Sequence, residues 1–214
     1  MNDLQNIPNL DAHPKLFADD TNVFVYAKNL TALNTKGMLA LESISEWMTA
    51  NKLSINYCIS CYMMFSFSKV HDFPNKNINL SIYGHTLAQV RSTKYLGLNV
   101  DENLNWKGHI KDVYNNIIKY TSIFYKLRSK LPVCVLKQLY FATIYPALLY
   151  GIQLYANTYS SYLSDLMTLN NKLLRILLDK PLTTAIGELY FAFNTLPIDK
   201  LFDYIISYYN FLTS

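Results

Sequence analysis

The sequence predicts an α+β chain, with antiparallel strands around one packed helix followed by an all-helical part. Two observations carry this. Short apolar runs rich in β-branched and aromatic residues, divided by polar or Gly-bearing breaks, dominate up to Val100. From Trp106 the period becomes helical: Trp106, Ile110, Val113, Ile117, Tyr120, Phe124, Leu127 and Leu131 alternate steps of four and three. The switch falls near Asn105, giving an expected division into residues 1–105, a helical region 106–180 and a C-terminal helical extension 181–214.

Each element has its own signal. The first fifteen residues, with Pro8 and Pro14, start no hydrophobic period and read as an irregular entry. Leu16-Phe17-Ala18 and Val23-Phe24-Val25-Tyr26 flank Asp19-Asp20-Thr21-Asn22, the pattern of a β-hairpin with acids at its turn. Leu33, Met38, Leu41, Ile44, Trp47 and Met48 predict one amphipathic helix over Thr31–Asn51, with Thr31 or Asn34 as its cap. Leu53–Ile55, Cys61–Phe65, Ile78–Tyr83 and Tyr95–Val100 read as strands. Pro132 ends the long helix and opens a second over Val133–Leu149, and a third spans Tyr162–Leu178.

Composition narrows the class. Of 214 residues, 51% are apolar and 16% charged, so a core can form and the composition argues against intrinsic disorder. The net charge of +4 permits an anionic partner without requiring one. Three cysteines and no apolar leader argue against a secreted disulfide scaffold; the sequence leaves localisation unknown, with an intracellular place, nuclear or cytoplasmic, as the expectation. No charge occurs between Lys137 and Asp165 and Leu139–Ala156 is largely apolar, yet Thr143, Pro146, Gly151, Gln153 and four tyrosines (Tyr140, Tyr145, Tyr150 and Tyr155) make that segment too polar for a membrane span.

Four groups of residues are candidates for chemistry. Asp19 and Asp20 would repel each other unless a cation intervenes, and a hard ion such as Mg²⁺ suits them; a polar turn is the plain alternative. Cys58-x-x-Cys61 invites zinc, with His71 and Cys134 in reserve, but no second paired motif completes a tetrahedral set, so buried thiols are expected. The histidines, His13, His71, His85 and His109, are expected to be solvated or to cap. From Asn105 to Tyr140 seven basic residues face one acid, Asp112. At about 100° per residue, Lys111, Lys119, Lys126 and Lys130 share one stripe that can follow phosphates without reading sequence.

Lys15-Leu16-Phe17-Ala18-Asp19-Asp20-Thr21 resembles the Phe-Ala-Asp-Asp hairpin of reverse transcriptases from jockey-like non-LTR retrotransposons. Asn2-Asp3-Leu4 resembles the segment that precedes it, and Trp47 with Asn51–Asn56, then Tyr62-Met63-Met64-Phe65, resemble the blocks that follow. Lys94-Tyr95-Leu96-Gly97, Asp101–Trp106 and His109-Ile110 are similar to the primer-grip region and the start of the thumb. Leu139-Tyr140, Tyr145-Pro146 and Leu149-Tyr150-Gly151-Ile152 extend the likeness into thumb helices. The resemblance implies the later half of a polymerase palm and a helical thumb, Asp19 and Asp20 as Mg²⁺ ligands in two-metal nucleotidyl transfer, and an RNA template and DNA primer as partners. It also implies nucleic-acid contact at Lys94, Tyr95, Leu96 and Gly97, and a further metal-binding Asp and fingers on a segment preceding Met1. The family's lysine after Asn56 has no counterpart in Tyr57-Cys58-Ile59-Ser60, and Lys69 lies too far along to stand in. A chain of this kind is expected to be inactive alone. The rival expectation is a non-catalytic nucleic-acid-binding remnant of a decayed element.

Overall fold

The computed structural model describes Leu4, residues 11–66 and residues 78–213. The words at Asn2, Asp3, Lys69 and His71 lie outside these residues. The described chain forms two compact units, residues 1–91 and 92–214.

In the first unit, β1 (His13–Phe17) and β2 (Asp20–Phe24) pair antiparallel, from His13 opposite Phe24 to Phe17 opposite Asp20. Helix α1 (Leu30–Ala50) starts at Asn29, whose Oδ1 accepts from the Ala32 amide at 2.8 Å. Asn29 thus supplies the cap expected of Thr31 or Asn34, because its extended backbone aims the side chain at the first turn. Leu16 and Val23 of the hairpin pack on Ile44 and Met48 of α1, and Leu80, Ile82 and Leu87 form a second small cluster with Met38 and Leu41.

The strands expected between Leu53 and Tyr83 shrink. Leu53–Ile55 is irregular, and only β3 (Cys61–Tyr62) and β4 (Ser81–Ile82) remain of the next two runs. β4 pairs with β5 (His85–Thr86), whereas β3 pairs with β6 (Ala88–Gln89) in parallel rather than antiparallel. The β4–β5 hairpin lies in the crossover that a parallel pair requires. Cys58, Cys61 and Cys134 are all exposed, which corrects the expectation of buried thiols. β3 is two residues long and buries no face at Cys61.

The second unit begins with β7 (Ser92–Tyr95) and β8 (Leu98–Asp101), an antiparallel hairpin where one strand was expected over Tyr95–Val100. It belongs with the helices, so the compact units divide ahead of Asn105: β8 packs on α2 (Lys107–Leu127). The helix expected over Val133–Leu149 is broken into α3 (Val133–Thr143) and α4 (Tyr145–Leu149), because Pro146 lacks the amide that would continue α3. A short α5 (Ile152–Tyr155) follows, then α6 (Ser160–Leu177), α7 (Ile186–Phe193) and α8 (Ile198–Thr213). One cluster fuses these helices, running from Ile110 and Phe124 through Tyr140, Leu148, Leu166 and Leu173 to Phe193 and Leu201. Among the described residues no helix is long and apolar enough to cross a membrane.

Candidate acidic hairpin and basic helical surfaces

The β1–β2 register leaves a two-residue turn of Ala18 and Asp19. Ala18 has φ 52°, a left-handed backbone that costs a residue with a Cβ about 1–2 kcal/mol. Asp19 follows in the turn and Asp20 opens β2, both exposed. Neither carboxylate pairs with a cation among the described residues. The hairpin thus carries two consecutive carboxylates at its tip, Asp19 on the strained turn and Asp20 at the start of β2, fastened below by Leu16 and Val23.

The donor set bears directly on a metal. Two carboxylates with open surroundings suit one Mg²⁺ that takes its other oxygens from water and phosphate. Among the described residues no group of three His, Cys, Asp or Glu side chains stands together. Asp11 is held by Lys36 at 2.5 Å and is not directed to the turn's acids by any contact. Ile59, where the resemblance expects a lysine, is 78% exposed, so a long side chain there meets no steric barrier.

The Lys94–Gly97 segment forms the tip of the β7–β8 hairpin. Leu96 and Gly97 both have positive φ, 48° and 79°, as a type I′ turn requires. The Tyr150 hydroxyl donates to the Leu96 carbonyl, and a Cβ on Gly97 would approach the Tyr150 ring to 3.2 Å. Gly151, at φ 71°, meets Leu98 so closely that a Cβ would stand 2.6 Å from its Cδ2. Tyr95-Leu96-Gly97 and Tyr150-Gly151, far apart in sequence, are therefore two sides of one contact. Lys94 remains exposed, paired in the ladder with Asn99.

Asp101–Trp106 is a backbone clamp. The Asp101 carboxylate accepts from the amides of Asn103 at 3.0 Å, Asn105 at 3.3 Å and Trp106 at 3.0 Å. It thereby holds Leu104 and Trp106 in left-handed conformations, φ 52° and 62°, at the entrance to α2. His109 is 5% exposed, not solvated or capping as expected. Its ring lies edge-on to Tyr155 at 5.2 Å, and its Nδ1 accepts from the Asn99 amide at 3.4 Å. Burial pushes its pKa down against the opposing pull of Asp112.

The basic residues separate into different environments. Lys111 and Lys119 lie on the exposed side of α2, with Lys119 Nζ 3.4 Å from Asn116 Oδ1. Lys126 also lies on α2 but lines a cleft. Lys130 falls in the turn after Leu127, where the helix has ended, so it does not continue the stripe. Lys137 is engaged internally, donating to the Ala192 carbonyl at 2.5 Å. Lys172, Arg175 and Lys180 join the basic surface and were missed because the charge count stopped at Tyr140. The i, i+3 spacing of Lys172 and Arg175 was the available signal.

The chain is similar to two curated proteins, both described as RNA-directed DNA polymerase from mobile element jockey. With that of Drosophila funebris it is 25% identical over 182 residues, 79% of this chain and 19% of the relative. With that of Drosophila melanogaster it is 25% identical over 162 residues, 74% of this chain and 17% of the relative. The chain therefore spans less than a fifth of these relatives' length. No protein-family profile and no solved structure matches it. The similarity is a distant homology, and it supports a relationship to the reverse transcriptases of non-LTR elements.

Proposed function

We propose that the chain is part of an RNA-directed DNA polymerase of a non-LTR retrotransposon, the acidic-hairpin unit serving as the later palm and the helical unit as the thumb. The observation that carries this reading is the homology across 79% of the chain to a jockey polymerase. The exposed acidic pair supports it, because a surface turn that keeps two neighbouring carboxylates without cationic partners is suited to a charged ligand.

Asp19 and Asp20 would hold Mg²⁺ together with nucleotide phosphates, and the ion would supply charge neutralisation during displacement of pyrophosphate by a primer hydroxyl. The chain's own part is positional. β1 and β2 fix the acids on the turn, and α1 backs the hairpin through Ile44 and Met48. Lys111 and Lys119 offer charges that follow a template–primer backbone irrespective of sequence. Two metal ions about 4 Å apart need carboxylates from more than one strand, whereas Asp19 and Asp20 share one hairpin. The 214-residue chain alone accordingly does not extend primers.

The test is RNA-templated primer extension, on the chain alone and on the chain extended upstream through its own genomic reading frame. The extended protein is expected to polymerise and its Asp19→Ala variant to be inactive. Activity that survives Asp19→Ala, or an upstream frame with no Asp-bearing strand and no activity, overturns the reading in favour of a non-catalytic remnant.

A further inference from the structure

We propose that the cleft between the C-terminal ends of α2 and α6 binds a single-stranded polynucleotide, with Lys126, Lys172 and Lys180 on its phosphates and Tyr125 under one of its bases. The inference does not rest on the polymerase reading, since a chain that held strands without copying them would use the same cleft.

Charge is the first support. The cleft is a wide, solvent-open concavity of about 590 Å³, and its lining includes Lys126, Arg128, Lys172, Arg175 and Lys180 but no carboxylate. Asp179 pairs with Arg128 at 3.0 Å, and among the described residues Lys126, Lys172 and Lys180 have no acidic partner. Arg175 Nη2 donates to the Thr184 carbonyl at 3.1 Å, while its Nε is buried without an acceptor. So many cations around one concavity repel each other unless polyanionic charge enters.

The aromatic residue selects the kind of polyanion. Tyr125 lines the same cleft and is 57% exposed, with the Arg128 guanidinium 4.2 Å from its ring centroid. Arg128 is in turn held by Asp179, so ring and guanidinium form a braced platform. Sequence-independent sites for single strands combine these parts, a cationic groove for the backbone and an aromatic face for a base. A duplex keeps its bases stacked on each other and could offer the cleft phosphates only. Ile118, Ile176 and Leu182 add an apolar wall that suits a base and gives nothing to a bare phosphate.

The test uses the full chain and fluorescence anisotropy, with a short mixed-sequence DNA strand, its duplex, and an abasic strand of equal length, each titrated across a range of salt. The Lys126→Gln/Lys172→Gln/Lys180→Gln variant is expected to melt as the parent does and to lose about two units of salt slope on the single strand, at roughly 0.7 per phosphate contact. Each single Lys→Gln change loses a third of that, which keeps the question answerable if the triple variant fails to fold. Tyr125→Ala is expected to weaken the base-bearing strand about tenfold and leave the abasic strand unchanged. Lys200→Gln, on α8 and outside the cleft lining, is expected to leave single-strand affinity within twofold. An unchanged slope in the Lys variants overturns the proposal. So does an equal loss on the duplex, an equal effect of Tyr125→Ala on the abasic strand, or stoichiometric displacement by inorganic tripolyphosphate, which would mark a small-anion site.

Discussion

The two units bury their apolar residues on different scales. In residues 92–214 one continuous cluster links α2 through α8 and includes side chains with no exposure at all, among them Ile144, Leu148, Leu166 and Leu173. In the first unit, described residues form two clusters, each with only three buried members, while Phe17 beside the acidic turn and Phe24 and Tyr26 at the other end of the hairpin stand exposed. Stability follows buried apolar area, at about 25 cal/mol per Å². The helical unit is therefore the stable body, and the hairpin unit presents acids and apolar rings while burying little.

The largest effect that would break this contrast is a cavity in the helical core. Leu166→Ala is expected to destabilise the second unit by about 4 kcal/mol, since surrounding helices cannot collapse onto a fully enclosed site. Ile44→Ala in α1 is expected to cost about 2 kcal/mol, because its thin cluster relaxes more readily. Urea denaturation followed by far-UV circular dichroism is expected to show two transitions, each variant moving one. A single transition shifted equally by both substitutions would mean that the units do not unfold separately.

The same contrast explains what the sequence made legible. α1 and α2 could be read because each buries one stripe of a long, regular period. The first hairpin could be read because its two runs flank a polar turn. The short strands between Cys61 and Gln89 could not, since strands of two residues make too little alternation to register. The β7–β8 turn was missed because Leu96 occupies a left-handed position where Asn or Gly is the usual signal. What holds that turn is the Tyr150–Gly151 segment, a distant contact that local pattern cannot reveal. Among site residues, Asp19 falls in the turn, but that turn is Ala18-Asp19 rather than Asp19–Asn22, so Asp20, Thr21 and Asn22 lie in β2; Lys130 leaves its stripe because the helix ends at Leu127.

A second expected effect separates structural from functional acids. Asp101 accepts three amide hydrogen bonds in the helical unit, and Asp101→Ala would leave those donors without their partner. A cost of about 2 kcal/mol is expected, read as a lower urea midpoint of the second transition, with Asp101→Asn retaining part of the stability. An unchanged midpoint would show that water replaces the carboxylate fully.

A third effect is a pH dependence confined to the helical unit. His109 is neutral when folded because burial lowers its pKa below the unfolded value of about 6.5. Below that value the unfolded chain takes up a proton that the folded chain resists. Stability is therefore full above about pH 6.5 and falls as the pH drops from there towards the depressed folded pKa. Melting of the second unit at pH 7 and pH 5.5 measures this, and His109→Leu is expected to flatten the difference. If the parent melted higher at pH 5.5, the sign would be wrong and His109 would be charged in the fold.

The smallest expected effect is the most informative about function. Asp19 and Asp20 are exposed, carry like charge side by side, and have no cationic partner among the described residues. Asp19→Asn should therefore leave the first unit's stability within about 0.5 kcal/mol, and the sign should be a slight gain as repulsion is relieved. Raising salt in the parent should produce the same small gain, because screening relieves the same repulsion. Adding Mg²⁺ at constant ionic strength separates ligand binding from screening: the parent's midpoint should rise with Mg²⁺ and that of Asp19→Asn should not. A loss above 1 kcal/mol on substitution would instead make Asp19 a structural turn residue. That result would place both units' acids in the same role as Asp101 and remove the main reason for treating the first hairpin as a ligand site.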